Sequence, residues 1–108
     1  MGDGMSKYGA QPTVVDGIRF ASKAEARQYR ELRLREKAGE IGSLSLQPAF
    51  YLHVRDIKIG QYVSDFQYYD HRAAAWVVHD VKGIKTPMYR WKKKHLFAEY
   101  GIVILETK

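Results

Sequence analysis

The 108-residue chain contains no cysteine. That excludes disulfide bridges and thiolate zinc centres, and it fits a reducing compartment such as the cytosol. Long hydrophobic runs are missing too: no apolar stretch approaches the ~20 residues a membrane helix needs. Nothing at the start reads as a secretory signal, so the expected location is cytoplasmic. There are three prolines, and no linker, internal repeat or low-complexity segment is visible. Acid is absent from Lys82 to Ala98, although that stretch holds Lys82, Lys85, Arg90, Lys92, Lys93, Lys94 and His95.

What is present describes a small globular protein. Apolar residues make up 45% and aromatics 13% of the chain, enough for one core but not for separate catalytic and recognition domains. Formal charge is +6, from 18 basic and 12 acidic residues. A surplus gathered in one stretch points to a polyanionic partner, and nucleic acid is the commonest. Lys85, Arg90, Lys92, Lys93 and Lys94 are the expected phosphate contacts. The three consecutive lysines cannot all face one way, so one or two of them reach a shared surface. A membrane surface fits less well, because the apolar positions are committed to a core.

Residues 1–12 are small and polar and read as a loose tail, leaving 13–108 as a single domain. Asp16-Gly17 lies between apolar residues and signals a tight hairpin. Ser22-Lys23-Ala24-Glu25 matches a capping box, and Gly39 a stop, so a helix is expected from Lys23 to Ala38. Three strands follow. The first lies within Ser43–Val54 and is bent or interrupted at Pro48. The second is Gln61–Tyr69 and the third Ala75–Lys82, joined by a turn at Asp70-His71-Arg72. Thr86-Pro87 starts a second helix that runs to Tyr100 and stops at Gly101. Ile102–Leu105 is continuous and apolar, the pattern of a buried strand beside a parallel neighbour. The expected fold is therefore α/β, in the order α-β-β-β-α-β, with a central mixed sheet flanked by helices.

Period-two geometry places Asp80 and Lys82 on one face of the third strand. Asp65 stands in the second strand within an aromatic, β-prone run, where a charge is costly unless paired or bound to metal; the other reading is a strand acid at the sheet's exposed face. A hairpin connection makes the two strands neighbours. Two carboxylates can hold a magnesium ion while leaving positions for water and phosphate, and a nearby lysine can position or deprotonate the water. Glu25 is a third acid. It falls in line with Tyr29, Leu32 and Glu36 on the first helix, although a capping-box glutamate can instead close on the N-cap backbone. Gln47 is a further polar candidate, for metal-bound water or backbone phosphate, or as a structural amide. His79 lies opposite Asp80 and reads as structural, while Trp76 and Trp91 could stack on bases but are assigned by default to the core.

Four segments carry a resemblance: Phe20-x-Ser22-Lys23-x-Glu25-Ala26, Leu46-Gln47-Pro48, Val63-x-Asp65-Phe66-x-Tyr68 and Asp80-Val81-Lys82-Gly83. In this order they resemble the PD-(D/E)XK nuclease superfamily, and more closely a family of small phage and prophage proteins placed in it. The likeness spans about Lys7 to Glu106. It departs from the pattern at Ser64, where the superfamily's eponymous proline would stand. The resemblance implies a restriction-endonuclease-like core, metal held by Asp65, Asp80 and Glu25, and Lys82 as the catalytic lysine. It implies Mg2+ as cofactor, with Mn2+ able to substitute, no organic cofactor, and DNA as partner. The expected activity is a phage-derived endodeoxyribonuclease in a bacterial host cell. Structure-specific cutting is expected, with Holliday-junction resolution by a homodimer as one form. The alternative is a non-catalytic nucleic-acid-binding or phage assembly protein that kept the fold.

Overall fold

The computed structural model describes residues 11–108. The expected tail at 1–12 lies outside the described residues, except for Gln11 and Pro12. Elements run β1 (Thr13–Val15), β2 (Ile18–Phe20), α1 (Lys23–Lys37), β3 (Ile41–Leu46), β4 (Ala49–Val54), β5 (Ile57–Val63), β6 (Phe66–Asp70), β7 (Ala75–Val81), α2 (Pro87–Tyr100) and β8 (Ile104–Thr107). The central sheet has the order β3-β6-β7-β8. β3, β6 and β7 pair antiparallel and β8 joins β7 in parallel, so the sheet is mixed. The class is α/β, as expected.

Local chemistry accounts for the boundaries. Asp16 and Gly17 take φ of 53° and 76° between β1 and β2, the left-handed pair that a two-residue hairpin requires. Ser22 caps α1 by accepting from Glu25 N at 3.1 Å. Thr86 caps α2 in the same way through Tyr89 N, with Pro87 opening the helix. Gly101, at φ 70°, ends α2 by donating its N–H to Phe97 O at 2.8 Å.

Two of the expected strands are each split in the structure. The segment Ser43–Val54 becomes β3 and β4, and Gln61–Tyr69 becomes parts of β5 and β6. Both breaks fall at the same level. Leu46 pairs with Phe66 before the break and Ala49 with Val63 after it. Across it, Gln47 N donates to Asp65 O at 3.0 Å and Ser64 N to Pro48 O at 3.1 Å. The pair of strands is thus one long antiparallel ribbon that folds over at Gln47-Pro48 and Ser64-Asp65. Its near half lies in the central sheet, and its far half, β4–β5, leaves it. Pro48 cannot donate to a ladder, and Gln47 adopts φ 52°, so the ribbon bends there.

Each face of the sheet carries its own core. Phe20, Ala26, Tyr29, Leu32, Ile41, Phe66 and Tyr68 join α1 to one face. Leu52, Tyr62, Val78, Tyr89, Leu96 and Ile104 join α2 and the bent-over ribbon to the other. The ribbon is also pinned by polar contacts: His53 N and Nδ1 each lie 2.7 Å from a Glu99 carboxylate oxygen, and His95 Nε2 is 3.0 Å from His53 O.

Three further expectations need correction. The last strand is Ile104–Thr107 rather than Ile102–Leu105, and it forms an edge of the sheet with Val103 and Leu105 exposed. Ile104 packs into the core under α2, whereas Leu105, the next residue along the strand, points to the opposite face. Neither tryptophan belongs to the core: Trp76 is 59% and Trp91 49% exposed. Trp76 packs edge-on against Tyr69, and Trp91 tilts against His95. Finally, the turn between β6 and β7 extends through Ala74, at φ 53°.

Candidate active site

The fold in the strand ribbon places Asp65, and strand pairing brings it to Asp80. Their side chains interlock with each other's backbone. Asp65 N donates to Asp80 Oδ1 at 2.7 Å, and Val81 N donates to Asp65 Oδ2 at 2.7 Å. Each aspartate therefore spends one oxygen on positioning, which fixes both rotamers. Asp80 is almost fully buried, at 1% exposure, and its Oδ2 has no hydrogen-bond partner. A buried, unpaired carboxylate oxygen is costly. The nearest cation is Lys82, whose Nζ lies 3.9 Å from it. Burial raises the Asp80 pKa; the Asp65 backbone hydrogen bond and Lys82 oppose that shift, and Glu106 adds to it.

Glu25 enters from the other side, on the first turn of α1. Only one arm of the capping box forms, from Glu25 N to Ser22 Oγ. The carboxyl group is buried beside Asp65. Burial, then the charge of Asp65 and a hydrogen bond to it, and last the charge of Asp80 push the Glu25 pKa up to about 7. A backbone hydrogen bond at Ala21 opposes the shift. Glu25, Asp65, Asp80 and Lys82 thus occupy one corner of the molecule, where α1, the ribbon fold and the end of β7 meet.

The raised Glu25 pKa has a consequence for stability. The folded state binds this proton more tightly than the unfolded chain does, so stability falls as pH rises from about 4.5 to about 7. In EDTA, Glu25→Gln is expected to remove that slope and to melt about 5 °C above wild type at pH 8. Thermal unfolding from pH 4 to 8 checks this; parallel curves for the two proteins would place the Glu25 carboxyl in solvent.

Among the described residues, no group of three or more His, Asp or Glu side chains stands at metal-holding geometry. The donor set nonetheless fits a hard divalent cation. Asp80 Oδ2 is unpartnered, Asp65 keeps its second oxygen outside the two positioning bonds, and Glu25 brings a third carboxyl group alongside.

Lys82 opens this corner to the surface. It lines a cavity of about 670 Å3 together with Ala24, Arg27, Thr86 and Lys108. It also lines a second, of about 510 Å3, with Lys85, Arg90, Glu106 and Lys108. Arg27 and Lys108 are cations that sequence reasoning missed. Arg27 sits two places beyond Glu25, a spacing that carries no periodic signal.

The remaining residues divide. Lys85 and Lys93 are not free, because their Nζ atoms lie 3.0 Å from the two oxygens of Glu106. Glu106 was missed as well. It is in register with Asp80 across β7 and β8, a parallel pairing that no local motif signals. Arg90 and Lys94 line an apolar groove with Phe97, Ile102 and Val103. Gln47 is exposed and contributes its backbone N–H to the ribbon fold. His79 is buried between Tyr68 OH, at 3.0 Å, and Thr107 Oγ1, at 2.9 Å, and burial lowers its pKa.

A family model described as "Protein of unknown function (DUF1064)" matches residues 5–107. The chain belongs to this family. No curated protein and no solved structure matches it. No helix among the described residues is long and apolar enough to cross a membrane.

Proposed function

We propose that this DUF1064 chain is a magnesium-dependent endonuclease that hydrolyses DNA phosphodiester bonds, on a restriction-endonuclease-like core. The observation that carries the reading is the unpartnered Asp80 Oδ2, buried beside Asp65 and 3.9 Å from Lys82 Nζ. A protein that only bound phosphates would have no use for buried carboxylates gathered beside its lysine. Counting each folded-over strand once restores the order α-β-β-β-α-β, which supports the same core.

Asp65, Asp80 and Glu25 would hold Mg2+, or Mn2+ in its place, and the bound ion supplies polarisation of the scissile phosphoryl oxygen and a more acidic attacking water. The backbone bonds from Asp65 N and Val81 N hold the two aspartates in place before any ligand arrives. Lys82 carries a positive charge at the mouth of the site, where it orients the water and offsets charge on the pentacovalent phosphorus. Glu25, whose carboxyl pKa is raised to about 7 in the free protein, would give up its remaining proton on serving as a ligand.

The domain has no evident module for reading base sequence, so the substrate class we assign is branched or flapped DNA, with four-way junctions cut by a homodimer as one form. Incubating labelled duplex, flap, single-stranded and four-way-junction DNA with Mg2+ or with EDTA tests the assignment. Cleavage of a branched substrate in Mg2+ and none in EDTA is expected. No cleavage of any substrate by folded protein would leave the second reading, a nucleic-acid-binding protein without catalysis. One observation favours that alternative: among the described residues, no three His, Asp or Glu side chains stand at metal-holding geometry.

Binding is expected to weaken steeply with salt, by a log-log slope of about −0.9 for each phosphate neutralised on duplex DNA. Because Glu106 engages Lys85 and Lys93, Arg27, Arg90, Lys92, Lys94 and Lys108 are the more available cations. Replacing Lys92, Lys93 and Lys94 together by alanine is expected to flatten the slope by about 2. An unchanged slope, measured by anisotropy titration, would move the binding surface to α1.

A further inference from the structure

We infer that Tyr89 and Glu106 are positioning residues for Lys82, holding its ammonium group at the mouth of the acid cluster. The inference deepens the nuclease reading and rests on it for the role of Lys82. Its geometric content stands independently.

Lys82 leaves the end of β7 on a long flexible stem, and a solvated lysine of this kind samples many rotamers. Here its Nζ lies 4.2 Å from the centroid of the Tyr89 ring, within the range of a cation–π contact. Tyr89 offers a fixed platform: it is buried at 7% exposure, within the core that joins α2 to the sheet. Its rotation is restrained from the far end, where its hydroxyl donates to Glu106 Oε2. The ring thus presents a face to the ammonium while the hydroxyl is tied to the next strand.

Glu106 has a second consequence. As the register neighbour of Asp80, an unpaired Glu106 would compete for the Lys82 ammonium and draw it off the acid cluster. The structure prevents this by giving Glu106 its own cations, Lys85 and Lys93, both at 3.0 Å. Lys82 is left to Asp80 and the tyrosine ring. The arrangement gives two otherwise puzzling features a common purpose. An acid stands within the basic surface, and two partly exposed lysines of that surface pair with it.

Two measurements on the full chain test the inference, and thermal unfolding confirms that each variant is folded. The first is the NMR shift of the Lys82 ε-methylene protons, which the Tyr89 ring current should move upfield. The upfield shift should persist in Glu106→Gln, which keeps an acceptor for the hydroxyl, and be reduced in Tyr89→Phe, which keeps the ring but unties it from Glu106. It should be lost in Tyr89→Leu and reduced in Glu106→Ala. The second is steady-state cleavage with varied DNA concentration. Tyr89→Leu should lower kcat about tenfold with KM for DNA within about twofold, and Tyr89→Phe should cost no more than about threefold. A Lys82 shift indifferent to Tyr89→Leu would overturn the inference, whether or not the protein cuts DNA. So would a Tyr89→Leu enzyme with wild-type kcat when Lys82→Ala is inactive. If the NMR shifts behave as expected but Lys82→Ala cleaves at the wild-type rate, the positioning stands and the catalytic role of Lys82 fails.

Discussion

Asp80→Asn is expected to lower the cleavage rate by about 1000-fold, roughly 4 kcal/mol in the barrier, while leaving the fold intact. The amide keeps an oxygen that can accept from Asp65 N, the 2.7 Å bond that ties the two strands together. What it removes is the charge on an otherwise unpartnered, buried carboxylate. Asp80→Ala is expected to be equally inactive but less stable. It leaves the Asp65 N–H without its acceptor, at a cost of about 1–3 kcal/mol. Comparing the two variants by single-turnover cleavage and thermal unfolding separates the chemical role from the structural one. A folded Asp80→Asn protein that cleaves at the wild-type rate would remove Asp80 from the site.

Phe66→Ala is expected to be the most destabilising of the single substitutions considered, by about 3–5 kcal/mol. Phe66 is fully buried in the core under α1 and stands next to the ribbon fold, paired with both Leu46 and His79. At roughly 4 °C per kcal/mol for a domain of this size, Tm should fall by about 15 °C. The contrasting variant is Trp76→Ala, which removes a larger side chain from a site that is 59% exposed. It should cost under about 1 kcal/mol. Equal losses in the two variants, measured by urea unfolding, would mean that the sheet face at Trp76 is covered after all.

These two residues also show where reading a sequence succeeds and where it stops. Alternation placed Tyr62, Ser64, Phe66 and Tyr68 together, and all four are buried, but they do not share one face: Phe66 and Tyr68 join the core under α1 and Tyr62 the core under α2. It did not show that the ribbon folds over at Ser64-Asp65, because a bend that keeps the inward and outward pattern leaves no trace in that pattern. Pro48 marked the fold on one strand only. Caps were legible because they are local: Ser22, Thr86, Pro87 and Gly101 each act within four residues. The tryptophans misled because hydrophobicity alone cannot separate a core position from an exposed strand end.

The acid cluster followed the same division. Asp80 and Lys82 came from period two, and Asp65 from an acid in an apolar run. Glu25 was ambiguous between cap and site, and the structure divides the roles: its backbone N–H takes the cap and its carboxyl group faces Asp65. Glu106 could not be found this way. Its place beside Asp80 depends on a parallel pairing made after the whole of α2, and its tie to Lys85 and Lys93 depends on where that helix docks. The Glu106 pKa is lowered to about 2 by the Tyr89 hydroxyl foremost, with both lysines contributing, which shows how strongly that placement acts.

The most direct test of the central claim is a Mn2+ titration followed by electron paramagnetic resonance, on wild type and on Asp65→Asn and Asp80→Asn. If the cluster at the ribbon fold is a metal centre, wild type should bind Mn2+ with loss of the free-ion signal. Mg2+ should compete for the site, and each variant should weaken binding by about tenfold or more, as the loss of one charged oxygen ligand demands. Identical Mn2+ binding by all three proteins, or none by any, would contradict it.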